Sequence, residues 1–352
     1  MPDRHIVFAV PGSLDTPSGG YIYDKRVIAE LRAGDWRVDV LTFGDGFPDP
    51  AAAVLAAGYA RIAALTVDVP VVIDGLALGA MPDIARHLRA ANPLVALVHH
   101  PLALETGLPP ERAAQLHHSE MVALTAARHV IANSVTTATV LANDYGLADS
   151  RITIAPPGTD VAATAKGSAG GATHLLAVGA IVPRKGYDLL IAALGMLKHL
   201  AWRLTIVGDA TRDAAAVARL RGTIGYLGLD DRIILLGAVP DAALAAAYDS
   251  ADVFVLPSYY EGYGMVFSEA VARGLPVIGT TAGAIPEAVP EGAGILVPPG
   301  GMPALVAALR DMISDAGLRA RYAAAARRGA LHLPRWPDTA AHVARAIAAV
   351  SP

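Results

Sequence analysis

The sequence predicts an α/β protein built as two successive parallel-sheet domains. Three observations predict it. Short apolar runs alternate with longer Ala-rich helical patterns along the chain. The alternation pauses once, in the small-residue stretch Val161 to Thr173, and then restarts. The chain has 352 residues, 54% of them apolar, which is more than one core usually holds.

In the first half, Ile6–Val10 reads as a strand, followed by the loop Pro11–Gly20, a helix over Tyr21–Ala33 and a strand over Arg37–Thr42. Pro70–Ile73, Leu94–His99 and His129–Asn133 read as further strands, each followed by a loop and a helix. In the second half His174–Val178 is a strand, Tyr187–Leu200 a helix and Arg203–Val207 a strand. Arg232–Leu235, Val253–Leu256 and Pro276–Ile278 follow. Pro334 and Pro337 interrupt the helical tail. These breaks suggest one domain over 1–165, a second over 172–328, and a terminal helix over 329–352 that either caps the second domain or crosses back to the first.

Composition excludes several classes. There are no cysteines, so disulfides and the usual Cys-containing zinc sites are ruled out. No basic-apolar-small leader opens the chain, and no run of about 18 apolar residues occurs, so a cytoplasmic protein is expected. The formal net charge of −4 does not suggest a nucleic-acid partner. Up to residue 167 there are 12 Lys plus Arg against 17 Asp plus Glu; beyond it there are 16 against 15. An acidic first half implies at most weak peripheral contact with an anionic membrane.

The segment with the most chemistry follows the strand Val253–Leu256. Pro257-Ser258-Tyr259-Tyr260-Glu261-Gly262-Tyr263-Gly264 leads into a helix beginning Met265-Val266-Phe267-Ser268-Glu269. Ligands of open α/β sheets bind beyond strand C-termini, and a helix N-terminus offers free N–H groups to an anion. The glycines permit close approach to the backbone. Two carboxylates, one in the loop and one a turn into the helix, could reach different parts of one polyhydroxylated ligand.

This stretch resembles the double-glutamate signature of glycosyltransferase family 4, retaining enzymes of the GT-B fold. That fold has two Rossmann-like domains whose parallel sheets face each other across a cleft. The resemblance runs from about residue 5 to 310. It implies that Glu261 and the loop Gly262, Tyr263, Gly264 and Met265 hold donor-sugar hydroxyls and a phosphate, and that Glu269 binds the ribose. Val178-Gly179-Ala180-Ile181-Val182-Pro183-Arg184-Lys185-Gly186 resembles the diphosphate-binding stretch, with Lys185 on the diphosphate and Arg184 a candidate beside it. Many members carry Arg where this chain has Ala180. The segment around Val239 resembles the one whose backbone meets the base. Pro17-Ser18-Gly19-Gly20-Tyr21 resembles the glycine loop beside the donor phosphates, and His99 the histidine near the reacting centre. His100 and Glu105 are assigned to the acceptor side, with Asp74 a weaker candidate.

The resemblance implies an enzyme, a retaining hexosyltransferase, with His99, Lys185 and Glu261 as its catalytic set. Its donor would be a nucleotide diphosphate sugar, UDP-linked by preference and GDP-linked as the alternative, and its acceptor would carry a hydroxyl. No Asp-x-Asp occurs, so no metal and no resident cofactor are expected. The alternatives are a nucleotide-sugar epimerase, or a nucleotide-sugar-binding protein without transferase activity. A nicotinamide dehydrogenase is disfavoured because no Gly-x-Gly-x-x-Gly follows the first strand.

Overall fold

The computed structural model describes residues 4–168 and 170–351. They form two compact units, Met1–Gly158 with Pro334–Pro352, and Thr159–Leu333.

The first unit has six parallel strands: β1 (His5–Val10), β2 (Arg37–Thr42), β3 (Val71–Asp74), β4 (Leu94–Val98), β5 (His129–Ala132) and β6 (Ile152–Ile154). Their order is β2-β1-β3-β4-β5-β6. The strands β3, β4 and β5 are buried along their whole length, which is why they read as continuous apolar runs without alternation. The chain goes from β1 out to β2, then returns to the other side of β1 as β3. The ends of β1 and β3 therefore flank a switch point, the place where open sheets bind ligands. The helix Gly19–Ala33 buries Tyr23, Val27 and Leu31 at four-residue spacing, and Asp24 with Ile28 beside them.

The second unit repeats the plan with β7 (Thr173–Val178), β8 (Trp202–Val207), β9 (Ile233–Gly237), β10 (Val253–Val255), β11 (Val277–Thr280) and β12 (Gly294–Val297). The order is β12-β11-β10-β7-β8-β9, again all parallel. Its switch point lies between β7 and β10, which pair through Leu175 with Val253 and Leu176 with Phe254. Among the described residues, no helix is long and apolar enough to cross a membrane.

Three sequence readings change. The edge strands β6 and β12 were not predicted. The helix expected over Tyr187–Leu200 stops at Met196, and the next chain segment turns back so that Trp202 Nε1 donates to the Leu197 carbonyl at 2.9 Å. The described residues between Val161 and the start of β7 have no regular structure, yet they are not a free tether. The Ala165 amide donates to the Arg273 carbonyl, Lys166 and Gly167 donate to the Asp249 carbonyl, and Ser168 binds Asp252 through both its amide and its hydroxyl. Asp252 is a half-buried carboxylate that needs these donors.

The helix Trp336–Ala348 packs within the first unit. Trp336 is buried edge-on to Tyr23 with centroids 6.0 Å apart, Arg26 lies over the indole, and Thr339 Oγ1 donates to the Pro156 carbonyl at 2.7 Å. Gly158 makes the approach possible, since a Cβ there would lie 2.3 Å from the Trp336 nitrogen. Gly158→Ala is expected to destabilise the first unit by about 1–3 kcal/mol, as overpacking does. Urea unfolding followed by tryptophan fluorescence checks this; an unchanged midpoint contradicts the contact.

Candidate functional site

In the second unit the turns after β7 and β10 meet at the switch point. Gly186 adopts φ +68°, and a Cβ there would sit 2.2 Å from the Pro257 carbonyl oxygen, so only glycine lets the two turns close. The Tyr259 amide donates to the Arg184 carbonyl at 2.8 Å, and Arg184 Nη1 donates back to the Tyr260 carbonyl at 2.8 Å. The turns are thereby stitched in both directions.

Glu261 lies at the centre of this junction, buried, with its side chain 7% exposed. Lys185 Nζ donates to Oε1 at 2.7 Å, Ser258 Oγ donates to the same oxygen at 2.7 Å, and Arg184 Nη1 donates to Oε2 at 3.0 Å. Burial alone would push the carboxyl up, but the charges of Lys185 and Arg184 and these hydrogen bonds outweigh it and hold Glu261 at about 2. The backbone is fixed as well. The Ala284 amide donates to the Glu261 carbonyl, and Gly283, at φ +55°, leaves the space that contact needs. Thr280 Oγ1 donates to the Ser258 carbonyl at 2.7 Å.

The helix Met265–Ala272 starts directly after this loop, with Gly264 left-handed at φ +87°. Gly262 and Met265 are half-buried, while Tyr263 is buried and its phenol pushed up to about 12 by burial. Glu269 belongs to a second polar group. Tyr248 Oη donates to its Oε2 at 3.0 Å, and Arg273 lies 4.3 Å over the Tyr248 ring while donating to the Glu269 carbonyl. Burial raises the Glu269 carboxyl, opposed by the Tyr248 hydroxyl. Val239 is half-buried in the turn after β9. The turns after β7 and β8 touch so closely that a Cβ on Gly208 would fall 1.9 Å from the Gly179 oxygen.

The structure therefore brings Arg184, Lys185 and Glu261 together, and places Glu269 two turns of chain beyond them with its own partners. Sequence reasoning missed Ser258, Tyr248 and Arg273. Ser258 was legible as the hydroxyl beside the loop glutamate; Tyr248 carried no local signal.

In the first unit Gly19 and Gly20 open the helix after β1. Gly20 abuts His99: a Cβ there would lie 3.2 Å from the ring. His99, just past β4, has its Nε2 3.1 Å from Asp24 Oδ1 and 3.5 Å from Asp74 Oδ2. The Tyr23 ring meets the imidazole edge-on at 5.1 Å. Asp74 also caps the short helix after β3, accepting from the Leu76 amide at 2.6 Å. Asp24 was not singled out in the sequence. His100 and Glu105 lie in the following loop with Nε2 and Oε2 3.5 Å apart. Asp24, Asp74 and His99 offer ligand-type atoms within 4.8 Å of one another, a spacing a metal ion could use. Burial would lower His99, but the charge of Asp24 and the hydrogen bonds to both carboxylates push it up to about 10. A protonated Nε2 has no lone pair for a cation.

Residues 162–329, nearly the whole second unit, match the family model of glycosyl transferases group 1. That segment is therefore similar to a group 1 glycosyltransferase domain. Curated relatives agree. The chain is 35% identical over 211 residues to a D-inositol 3-phosphate glycosyltransferase of Pseudarthrobacter chlorophenolicus, covering 56% of this chain and 50% of that one. It is 32% identical over 255 residues to its namesake from Kineococcus radiotolerans, covering 65% and 58%. The chain thus spans about half the length of the curated relatives it matches. Among solved structures, sucrose-phosphate synthase from Thermosynechococcus elongatus superposes with a TM-score of 0.81 at 22% identity, covering 97% of this chain and 98% of that one. Anabaena HepE in complex with UDP and glucose gives 0.77 at 21%, covering 97% and 99%. Two parallel sheets with flanking helices, shared with such neighbours, make this the GT-B fold. The matched segment contains the whole Arg184–Lys185–Glu261 cluster.

Proposed function

We propose that this chain transfers a hexose-type sugar, with retention, from a nucleotide diphosphate sugar to a hydroxyl acceptor. The observation that carries the reading is two cations, Arg184 and Lys185, gathered on one buried glutamate at the switch point of a glycosyltransferase domain. A diphosphate arriving there meets Lys185 and Arg184 already desolvated and held in place. The loop amides from Gly262 to Met265 face the same anion at a helix N-terminus. Arg184 takes the part left open by Ala180. Glu261 holds donor hydroxyls, Glu269 the ribose, and Val239 the base through its backbone. On the acceptor-side unit, Gly19, Gly20 and His99 serve the reacting centre, and His100 and Glu105 the acceptor.

Glu261 is engaged by three donors and held ionised, which suits binding better than attack on the sugar. The reaction we favour is a same-face displacement. The bond from the anomeric carbon to the departing phosphate oxygen breaks as the bond to the acceptor oxygen forms. The acceptor proton passes to the departing phosphate. Cationic side chains supply the charge stabilisation, so an EDTA-treated enzyme is expected to keep its activity; rescue only by divalent ions overturns this. UDP-sugars are the first donors to test, and the relatives' names make D-inositol 3-phosphate the first acceptor.

A thermal-shift panel of UDP- and GDP-sugars tests the site. At 100 Kd of ligand, stabilisation of about 2.7 kcal/mol is expected. It should be lost in Lys185→Ala and reduced in Glu269→Gln. If no nucleotide stabilises the wild type, or both variants respond like it, the assignment fails.

A further inference from the structure

We propose that Asp24 and Asp74 are positioning residues that hold His99 as an imidazolium, making His99 a fixed hydrogen-bond donor in sugar transfer and not its base. The protonation state belongs to the free protein; only the part concerning transfer rests on the proposed function.

The geometry carries the inference. Two carboxylates approach a single ring nitrogen, Nε2, at 3.1 and 3.5 Å. Asp74, held ionised, can only accept, and Asp24 accepts through Oδ1 as well when its own proton sits on the unpartnered Oδ2, so both favour a proton on Nε2. Asp24 is fully buried and Asp74 nearly so, whereas 16% of the His99 side chain stays exposed. No hydrogen bond among the described residues engages Nδ1. Gly20 and the edge-on Tyr23 pack beside the ring. The imidazole thus keeps its Nε2–H between the acids and leaves Nδ1–H outside that pair of contacts.

The two acids are not equivalent. Asp74 accepts the Leu76 amide as well as His99, and those bonds hold it below the usual carboxylate range despite burial. Asp24 Oδ2 has no partner among the described residues. Burial, then the charge of Asp74, pushes Asp24 up to about 7. Near neutrality the cluster is therefore a His99 cation and an Asp74 anion, with Asp24 carrying the proton that is easiest to remove. The other titratable groups facing it are Tyr21 and Tyr23, both raised by burial, and Asp45 through Tyr21. None of them supplies a compensating cation.

An imidazolium that stays charged well above neutrality cannot accept the acceptor's proton. Its second N–H, on Nδ1, would bind an oxygen lone pair of the transferred sugar. This agrees with a displacement in which the departing phosphate takes the proton.

The test reads His99 directly. In the whole chain labelled with 15N, its ring nitrogens are assigned by loss of the signals in His99→Gln and followed from about pH 5.5 to 11. Imidazolium shifts unchanged up to about pH 8.5 are expected. In Asp24→Asn the midpoint should fall by about one unit or more. A wild-type midpoint near 6.5, or no change in Asp24→Asn, overturns the proposal. If Asp24→Asn does not fold, the wild-type titration and Asp74→Asn decide. In transfer assays His99→Gln keeps an N–H donor, so its kcat/KM should fall by less than about 100-fold, the least that losing a general base costs. A larger fall overturns the donor role. Absence of all transfer with His99 still an imidazolium would sink the transferase reading and leave the buried cluster standing.

Discussion

Glu261→Ala is expected to destabilise the second unit by about 3–5 kcal/mol, because it strands two buried cations together. Lys185 and Arg184 have side chains only 12% and 18% exposed, and both converge on this carboxylate. Removing it takes away the carboxylate on which both charges converge. Glu261→Gln keeps the shape and one acceptor oxygen, so it should be milder. Urea unfolding of the two variants measures both; a Glu261→Ala midpoint within error of wild type would show that the ion cluster contributes nothing. The pH dependence follows from the same contacts. Glu261 titrates at about 2 in the fold against an ordinary 4.5, so its contribution is complete above 4.5 and is lost as pH falls towards 2. The gap corresponds to about 3 kcal/mol. A nucleotide diphosphate added at neutral pH should restore part of the Glu261→Ala loss, since its phosphates supply the missing negative charge. That rescue separates an anion site from a purely structural ion pair.

The legible part of this molecule was local, and the illegible part was not. The strands β1 and β7 showed in the sequence as apolar runs bounded by turn residues, and β2 as a β-branched stretch in which polar and apolar residues alternate from Arg37 to Val40. The strands β6 and β12 did not: they are edge strands buried only in part, and neither Ile152-Thr153-Ile154 nor the Gly-led Gly294–Val297 is a clean apolar run of the kind that marked the similarly short, fully buried β10. Glu261 and Glu269 were visible because a strand, a glycine loop and a helix follow one another in sequence. That Arg184 would join Lys185 on Glu261 was not visible. It depends on the turn after β7 meeting the turn after β10, which are adjacent only through the strand order. Asp24 was hidden for the same reason. An acid followed by Lys25 and Arg26 on a helix reads as solvated surface, and only Asp74 and His99, far along the chain, reveal it as buried.

Lys185→Ala is expected to lower kcat/KM for sugar transfer by about 100- to 1,000-fold, the range for removing one preorganised donor from developing charge. The side chain is well placed for that task. It is anchored by Glu261 at 2.7 Å, its stem packs beside Gly179, and the Tyr187 hydroxyl fixes the Gly179 carbonyl at 2.7 Å. A bound diphosphate would therefore meet an ammonium whose position is already fixed. The charge on the phosphate grows as the sugar leaves, so the loss should fall mainly on kcat. Lys185→Arg should not restore it, because a planar fork does not reproduce a compact ammonium in a space this closely bounded. Stability separates the outcomes. Lys185→Ala leaves Glu261 with Arg184 and Ser258, so it should unfold closer to wild type than Glu261→Ala does. A Lys185→Ala enzyme with wild-type kcat would remove Lys185 from the reacting centre and leave it only the structural task of balancing Glu261.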